Sequence, residues 1–194
     1  MTDSHAMELT NRLLIATPQM GDPRFKDAVI YVCSHDSSGA MGLVINKQVV
    51  KSGNAFQLSD MLSNIGIEGD VKVADTPVLE GGPVDIDRGF VLHSSDYFKT
   101  ETSLKLTDTL HLTSTKDVLE ALVQDNAPTK AMLAVGYSGW GAGQVERELQ
   151  DNAWIVADAD ETLIFDPNLN GKWTKALASL GIKPEMLSRH GGSA

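Results

Sequence analysis

The chain has 194 residues, 42% hydrophobic and 22% charged, a composition typical of one globular domain with a full core. Its 26 acidic and 16 basic residues leave a net charge of −10, which disfavours direct binding to the phosphate backbone of nucleic acid. The single cysteine, Cys33, excludes an internal disulfide and a multi-cysteine metal site, and is typical of a reducing compartment.

The amino-terminal region has only a short apolar run, Leu13 to Ala16. It lacks a basic segment followed by a long apolar core, so no signal peptide is predicted. No stretch approaches the ~18 apolar residues of a membrane-spanning helix. We therefore expect a cytoplasmic protein without membrane contact, forming a single domain over residues 1–194 with frayed ends at 1–11 and 190–194.

Runs of β-branched and aromatic residues between turn residues predict a strand-rich chain. In chain order these runs are LLIAT from Leu13, AVIYVCSH from Ala28, MGLVIN from Met41, VKVAD from Val71, PVLEGGP from Pro77, GFVLHS from Gly89, AMLAVGY from Ala131, WIVAD from Trp154 and TLIFD from Thr162. The segment SLKLTDTLHLTS, from Ser103, alternates leucines with polar residues and predicts a strand with one solvated face.

Four segments have apolar residues at helical spacing. FQLSDMLSNIG ends at Gly66, and STKDVLEALVQDNAP cannot continue through Pro128. GQVERELQDN and KWTKALASLG are both short. Because strands cluster unevenly and helices are few, we predict an α+β domain with a largely antiparallel sheet that curls toward a barrel, and peripheral helices.

The stretch GYSGWGAGQVEREL, residues 136–149, is the most informative about function. A phosphate-binding P-loop needs a lysine where Gln144 follows Gly143, and a dinucleotide fingerprint needs glycine at the same Gln144. A nucleophile turn around Ser138 needs glycine where Trp140 stands, so no catalytic serine is predicted. We interpret the glycines as a tight corner before a short helix, with a small-anion site at the start of that helix as the alternative.

The remaining reactive side chains do not form a recognisable catalytic set. Cys33 and His35 share one face of a predicted strand, but a buried small residue is a commoner role for such a thiol than a nucleophile. His35, His93 and His111 lack the paired spacing of a metal site, so neither a metal nor another cofactor is predicted. Arg88 is a candidate partner for a ligand carboxylate or phosphate, although a surface ion pair is its commoner use.

Four segments together resemble the YqgE/AlgH family. They are Leu13 to Lys47, Leu79 to His93, Gly136 to Asp160, and KWTKALASLGI near the carboxyl end. The family pattern has proline after Asn-Arg or Asn-Lys at the third strand, where this chain has Gln48. The resemblance implies a forked sheet folded into a pseudo-barrel. It also implies a role in transcriptional regulation, with no established reaction and no agreed catalytic residues.

We therefore expect a non-catalytic regulatory or binding protein that acts through a protein partner rather than through direct contact with nucleic acid. The alternative is a small-anion or nucleotide-binding protein or enzyme that uses the loop from Gly139 to Gly143. The predicted ligand or partner surface consists of Asn46, Gly81, Gly82, Pro83, Arg88, His93, Ser138, Gly139, Trp140, Gly141, Gly143 and Gln144. The resemblance adds Asp22, Pro23, Phe25, Gly42 and Trp154. A third hypothesis is assembly through an exposed sheet edge.

Overall fold

The structure, a computed structural model, describes residues 8–187. The strands in this range are β1 (Arg12–Ala16), β2 (Val29–Asp36), β3 (Gly39–Val44), β4 (Val50–Lys51), β5 (Asn54–Ala55), β6 (Leu79–Glu80), β7 (Val84–Ser94), β8 (Ser103–Lys105), β9 (Leu110–Thr113), β10 (Ala131–Gly141) and β11 (Trp154–Asp158). The α-helices are α1 (Leu58–Asn64), α2 (Lys116–Ala121), α3 (Gln144–Gln150), α4 (Glu161–Ile164) and α5 (Lys172–Ser179). Short 3₁₀ turns cover Pro23–Phe25, Leu169–Gly171 and Pro184–Met186.

The main sheet runs in the order β11-β1-β2-β3-β10-β7-β9-β8, and every neighbouring pair in this order is antiparallel. Strand β6 lies off this path and pairs parallel with β10, while β4 and β5 form a separate hairpin. The sheet curls into a half-barrel with a few short helices, which confirms the predicted fold class. Since β8 and β11 end the order, assembly through a sheet edge stays a prediction.

The sheet is forked at β10. This strand pairs with β7 through its first half and with β3 through Ser138 to Gly141, while β6 pairs with Ala134 and Val135 on the edge opposite β7. Directly after β6, Gly81 accepts the N–H of Val44 at 2.9 Å and donates its own N–H to the carbonyl of Val135 at 2.8 Å. A short segment therefore bridges β3 and β10 where these two strands separate.

Two glycines allow the backbones at the fork to touch. A Cβ atom on Gly82 would lie 2.2 Å from the carbonyl carbon of Tyr137, and one on Gly136 would lie 2.4 Å from the carbonyl oxygen of Gly82. Gly82 and Gly136 also have φ angles of 153° and 69°. Side chains rarely tolerate such angles, and here no side chain has room, so glycine is required at both positions.

The hydrophobic core has three parts. The largest packs α4 and α5 against one face of the sheet, with Tyr31, Leu92 and Leu177 fully buried. The second packs α1 and α2 against β7 and β10. The third lies beside α3 and contains Trp140 and Trp154. Both faces of the central strands are thus covered, which explains their nearly continuous apolar sequences.

Three of the predicted strands differ from the structure. TLIFD forms α4 instead, because the Asp160 carboxylate caps the helix by accepting the N–H of Thr162 at 2.8 Å. VKVAD forms no strand, and its Lys72 N–H bonds to the carbonyl of Leu122 after α2. SLKLTDTLHLTS forms the hairpin of β8 and β9, in which β9 is buried throughout rather than solvated on one face.

The chain ends were predicted to fray. Within the described part of that segment, Leu9 is fully buried and its N–H donates to Nδ1 of His35 at 3.3 Å. Residues 1–7 and 188–194, which include the predicted frayed end 190–194, lie outside the described residues. No helix between residues 8 and 187 combines the length and apolar character needed to cross a bilayer.

We expect Gly82→Ala to lower the free energy of unfolding by about 3 kcal/mol or more, since the new methyl group overlaps backbone atoms and the backbone angle is strained. Gly21→Ala is the matched control, because nothing lies within 4 Å of its Cβ position and its φ is not positive. It should stay within about 0.5 kcal/mol of the natural protein. Urea unfolding measures both, and equal losses would contradict the close approach.

Candidate functional site

The turn DPRF, residues 22–25, forms one wall of a surface groove. The Asp22 carboxylate accepts the backbone N–H of Arg24 at 3.0 Å and also receives Nε and Nη2 of its guanidinium at 3.0 and 2.6 Å. These bonds to Arg24 lower the pKa of Asp22. Pro23 begins the 3₁₀ turn, and Phe25 packs edge-on against Trp154 at 5.7 Å. These hydrogen bonds and the packing of Phe25 therefore stabilise the conformation of the turn.

The Pro83 groove consists of two adjoining hollows at the fork, of about 530 and 480 Å³. Both are lined by Arg24, Phe25 and Pro83. The first is completed by Pro23, Val44, Lys47, Glu80, Gly82, Ile86 and Val135, and the second by Met20, Gly21, Asp22, Val84, Gly139, Trp140, Gln144, Glu148 and Ala153. The first hollow is mainly apolar, and the Ile86 side chain in it is 65% exposed.

Lys47 supplies a cation to the Pro83 groove. Its Nζ donates to the carbonyl of Arg24 at 2.6 Å. Partial burial is the main cause that lowers the pKa of Lys47, and the neighbouring Glu80 acts in the opposite direction. None of the salt bridges formed between residues 8 and 187 includes Lys47. The groove therefore holds a cation without a direct carboxylate contact.

A second concavity, the half-barrel cavity, has a volume of about 670 Å³. Its lining residues are Ser34, Asp36, Ser38, Gly39, Ala40, Met41, Val84, Asp85, Arg88, Phe90, Thr102, Leu104, Leu112, Ser114, Tyr137, Gly139 and Trp140. Arg88 and Gly139, both predicted site residues, thus meet in this cavity. Val84, Gly139 and Trp140 line both the half-barrel cavity and the Pro83 groove, so the two concavities share a wall.

The glycine stretch is mostly strand, so the tight corner predicted before the short helix is confined to the end of the stretch. Residues up to Gly141 lie in β10, of which Ser138 to Gly141 pair with β3, and the turn is confined to the next two residues. Gly143 adopts a φ of 68° before α3. The carboxamide of Gln144 accepts the N–H of Gly141 at 3.0 Å, and Glu146 adds negative charge to the first turn of α3. A ligand anion at this helix start would compete with those side chains.

Three other predicted site residues have structural contacts. Gly81 bridges β3 and β10, and the buried Ser138 hydroxyl donates to its carbonyl at 3.2 Å rather than to a histidine. The Asn46 side chain accepts the N–H of Val29 and donates to the carbonyl of Asp27, both at 2.8 Å. Neither Asn46 nor Ser138 lines a cavity described above.

His93 is likewise enclosed rather than presented to a ligand. Its ring is fully buried, with Nδ1 2.9 Å from the carbonyl of Ser94 and Nε2 2.9 Å from the Thr113 hydroxyl. Thr113 in turn donates to Ser103 at 2.8 Å. Burial is the largest cause that lowers the pKa of His93. These contacts place a polar group beside each ring nitrogen and tie β7 to β9 and β8.

Glu148 joins the predicted residues Trp140 and Trp154. Both indole N–H groups donate to the same carboxylate oxygen at 2.8 Å, and Gln144 donates to the other oxygen at 2.9 Å. The two indole rings meet edge to face at 6.1 Å. Glu148 was not among the predicted site residues. The only indication in the sequence was that Glu148 follows Gln144 by four positions in a predicted helix, which makes their side chains neighbours. The residue fixes α3 against β10 and β11.

The arrangement around the only thiol does not favour nucleophilic chemistry. Cys33 is 3% exposed, which confirms the predicted burial, and desolvation raises the pKa of its thiol to about 12. His35, expected on the same strand face, instead places Nε2 at 2.9 Å from the Glu146 carboxylate. Among residues 8–187, no group of three or more His, Cys, Asp or Glu side chains is placed to hold a metal ion.

Lys172 is a buried charged residue that the sequence did not reveal. It is 1% exposed, and its Nζ donates to the carbonyls of Ile45 at 2.9 Å and Ile164 at 2.6 Å. Desolvation lowers the pKa of this amine to about 8. Since the amine joins β3 to the end of α4, we assign it a structural role. In the sequence, the only indication of this burial was that Lys172 directly precedes Trp173 in a segment with helical spacing.

These features define an α+β half-barrel protein whose fork separates a surface groove from a concave cavity. The AlgH-like family model matches residues 13–185 of this chain. The UPF0301 protein of Ruegeria pomeroyi is 47% identical over 189 residues, covering 97% of this chain and 100% of that protein. A UPF0301 protein of Caulobacter vibrioides is 43% identical over 187 residues, covering 96% and 94%. The chain therefore belongs to the AlgH-like family, as the resemblance indicated.

Two solved structures are similar to this one. The solution structure of the AlgH protein from Pseudomonas aeruginosa has a TM-score of 0.74 and 36% sequence identity, and the match covers 100% of both chains. The crystal structure of a protein from Corynebacterium diphtheriae has a TM-score of 0.68 at 16% identity, covering 89% of this chain and 87% of that one. The second comparison shows a shared fold alone.

We expect the Cys33 thiol to resist modification in the folded protein. At pH 8 a pKa of about 12 leaves almost no thiolate, and burial blocks the reagent. A chromogenic disulfide reagent should modify the native thiol at least about 100-fold more slowly than the same thiol in the guanidinium-unfolded chain. Rapid reaction of one equivalent in the native protein would contradict the buried placement.

The pH dependence of stability should report Lys172. The pKa of its amine is about 8 in the folded protein, against an ordinary value of 10.5, so the unfolded chain binds more protons between these values. The contribution of Lys172 to the free energy of unfolding therefore rises with pH across this window. Relative to Lys172→Met, the natural protein should gain about 1–3 kcal/mol between pH 7.5 and 10.

Urea unfolding of both chains at each pH measures this gain. Subtracting the Lys172→Met values removes the contributions of Tyr31 and Cys33, whose raised pKa values act in the opposite direction above pH 9. A constant difference between the two chains at both pH values would show that the amine is not desolvated.

Proposed function

We propose that this chain is a non-catalytic, cytoplasmic regulatory protein that acts by binding a protein partner in the Pro83 groove. The occupant we infer is an extended segment with apolar side chains and an acidic residue. The observation that carries this proposal is the mainly apolar first hollow of the groove, which is lined by the cation Lys47 and the exposed Ile86. A net charge of −10 favours regulation through such a partner over direct contact with DNA.

The shape and chemistry of the groove support a segment of polypeptide. Two adjoining hollows share Arg24, Phe25 and Pro83, and an extended chain can place a different side chain in each of them. Ile86 is more than half exposed, and burying it against a partner would be favourable by the hydrophobic effect. An acidic side chain in contact with Lys47 would form an ion pair, which the neighbouring Glu80 does not form with it in the isolated protein.

The burial and hydrogen bonding of the candidate catalytic side chains support a role without catalysis. The Cys33 thiol is buried with a raised pKa, and the Ser138 hydroxyl bonds to a backbone carbonyl. His93, which would be a general base, is buried with both nitrogens engaged. A nucleophile and a base within reach of one cavity are the minimum for covalent catalysis, and these three groups do not supply them.

Photo-crosslinking tests the proposed partner site. A photoreactive phenylalanine at position 86, in full-length protein in cells of the source organism, should form an adduct with one protein. The same residue at position 50 is the matched control, since Val50 is also exposed, at 55%, and lies outside the groove. Adducts of equal yield at both positions, or no adduct at position 86, would overturn the proposal.

Binding of the purified partner gives the quantitative test. We expect Ile86→Asp and Lys47→Glu each to weaken binding at least about tenfold, because one places a charge in the apolar hollow and the other repels the acidic residue. Val50→Asp should bind as the natural protein does. Sequence-specific DNA binding by this chain alone, at physiological salt, would contradict action through a partner.

A further inference from the structure

The half-barrel cavity is an open concavity lined about equally by polar and apolar surface. Its apolar part is formed by Phe90, Leu104 and Leu112, and the Phe90 ring meets Tyr137 edge to face at 5.7 Å. Hydroxyl groups of serine, threonine and tyrosine side chains line the remainder. A volume of about 670 Å³ falls within the range of pockets that hold metabolites and drug-sized ligands. The apolar side chains can contact the apolar part of a ligand, and the polar groups can orient its polar part.

Arg88 is the cation of this cavity. Its guanidinium carbon lies 5.2 Å from the centre of the Phe90 ring, and Nη2 donates to the Ser114 hydroxyl at 2.9 Å. No carboxylate in residues 8–187 forms a salt bridge with it. The ring and the hydroxyl therefore position the guanidinium, while its other N–H groups remain for a ligand. A planar guanidinium with free N–H groups matches the two oxygens of a carboxylate.

The acidic residues of the cavity restrict the charge of that ligand. Asp36 and Asp85 both line it, so its formal charge is negative by one unit despite Arg88. The Asp36 carboxylate is already engaged by the N–H of Ser38 at 2.7 Å. One carboxylate can pair with Arg88, but the several charges of a nucleotide or an inorganic phosphate would be repelled by the two aspartates.

We propose that the half-barrel cavity binds a small amphipathic monocarboxylate, with its carboxylate on Arg88 and its apolar body against Phe90, Leu104 and Leu112. The site shares no lining residue with the hollow that contains Lys47, and it meets the second hollow of the Pro83 groove only at Val84, Gly139 and Trp140. Failure of either proposal therefore leaves the other standing. The glycine stretch contributes through Gly139 in the cavity wall, and the start of α3 has no part in the site.

Phenylacetate is a suitable probe, because it joins one carboxylate to an aromatic ring through a single carbon. In a ¹⁵N chemical-shift titration of the full chain, we expect saturable shifts at cavity amides such as Met41 and Gly139. The Kd should be on the order of 0.1–1 mM, which is usual for a ligand of this size. The uncharged 2-phenylethanol should bind at least about tenfold more weakly, and adenosine monophosphate should not compete.

Arg88→Gln should weaken phenylacetate binding at least about tenfold, while Arg12→Gln should leave it unchanged. Arg12 is the matched control, because its guanidinium pairs with Asp158 at the opposite edge of the sheet. Leu104→Glu provides a second variant, since Leu104 is 55% exposed and the new carboxylate would repel the ligand. Undiminished binding by Arg88→Gln, or tighter binding of adenosine monophosphate than of phenylacetate, would overturn the proposal.

Discussion

The contact between two stretches of backbone at the fork is the constraint on which the rest of this structure depends. Gly81 and Gly82 lie directly against Gly136 and the residue after it, at distances that admit no Cβ atom. The backbone groups of Gly81 bond to both β3 and β10 at this point. Because β6 takes one edge of β10 there, β3 can pair with β10 only beyond Tyr137, and the sheet divides.

The fork also determines where the two concavities of the surface lie. Pro83 follows the contact directly and lies in the groove on one side, while Arg88, further along β7, lines the cavity of the half-barrel. Val84 and Gly139 belong to both concavities. A strand that changes partners thus forms the shared wall of two concavities, for one of which we propose a polypeptide occupant and for the other a small carboxylate.

Periodicity in the sequence predicted the elements whose own residues show a clear apolar pattern. The alternating or continuous apolar runs of β2, β10 and β11 were recognised, because strands buried on both faces need apolar residues throughout. TLIFD was assigned wrongly, since its composition favours a strand while the capping carboxylate of Asp160 favours a helix. The glycine stretch was read as a corner because nothing local shows that β3 pairs with it.

The sequence by itself determined the α+β class, the lack of a P-loop lysine, and membership of the AlgH-like family, since these follow from local patterns and residue identities. Only the tertiary structure decided that Arg88 shares a cavity with Gly139, that His93 is enclosed, and that Lys172 is buried. The physical reason is that such contacts join residues far apart in the chain. Lys172 and Ile45, for example, are 127 positions apart, and no periodicity within either segment encodes their meeting.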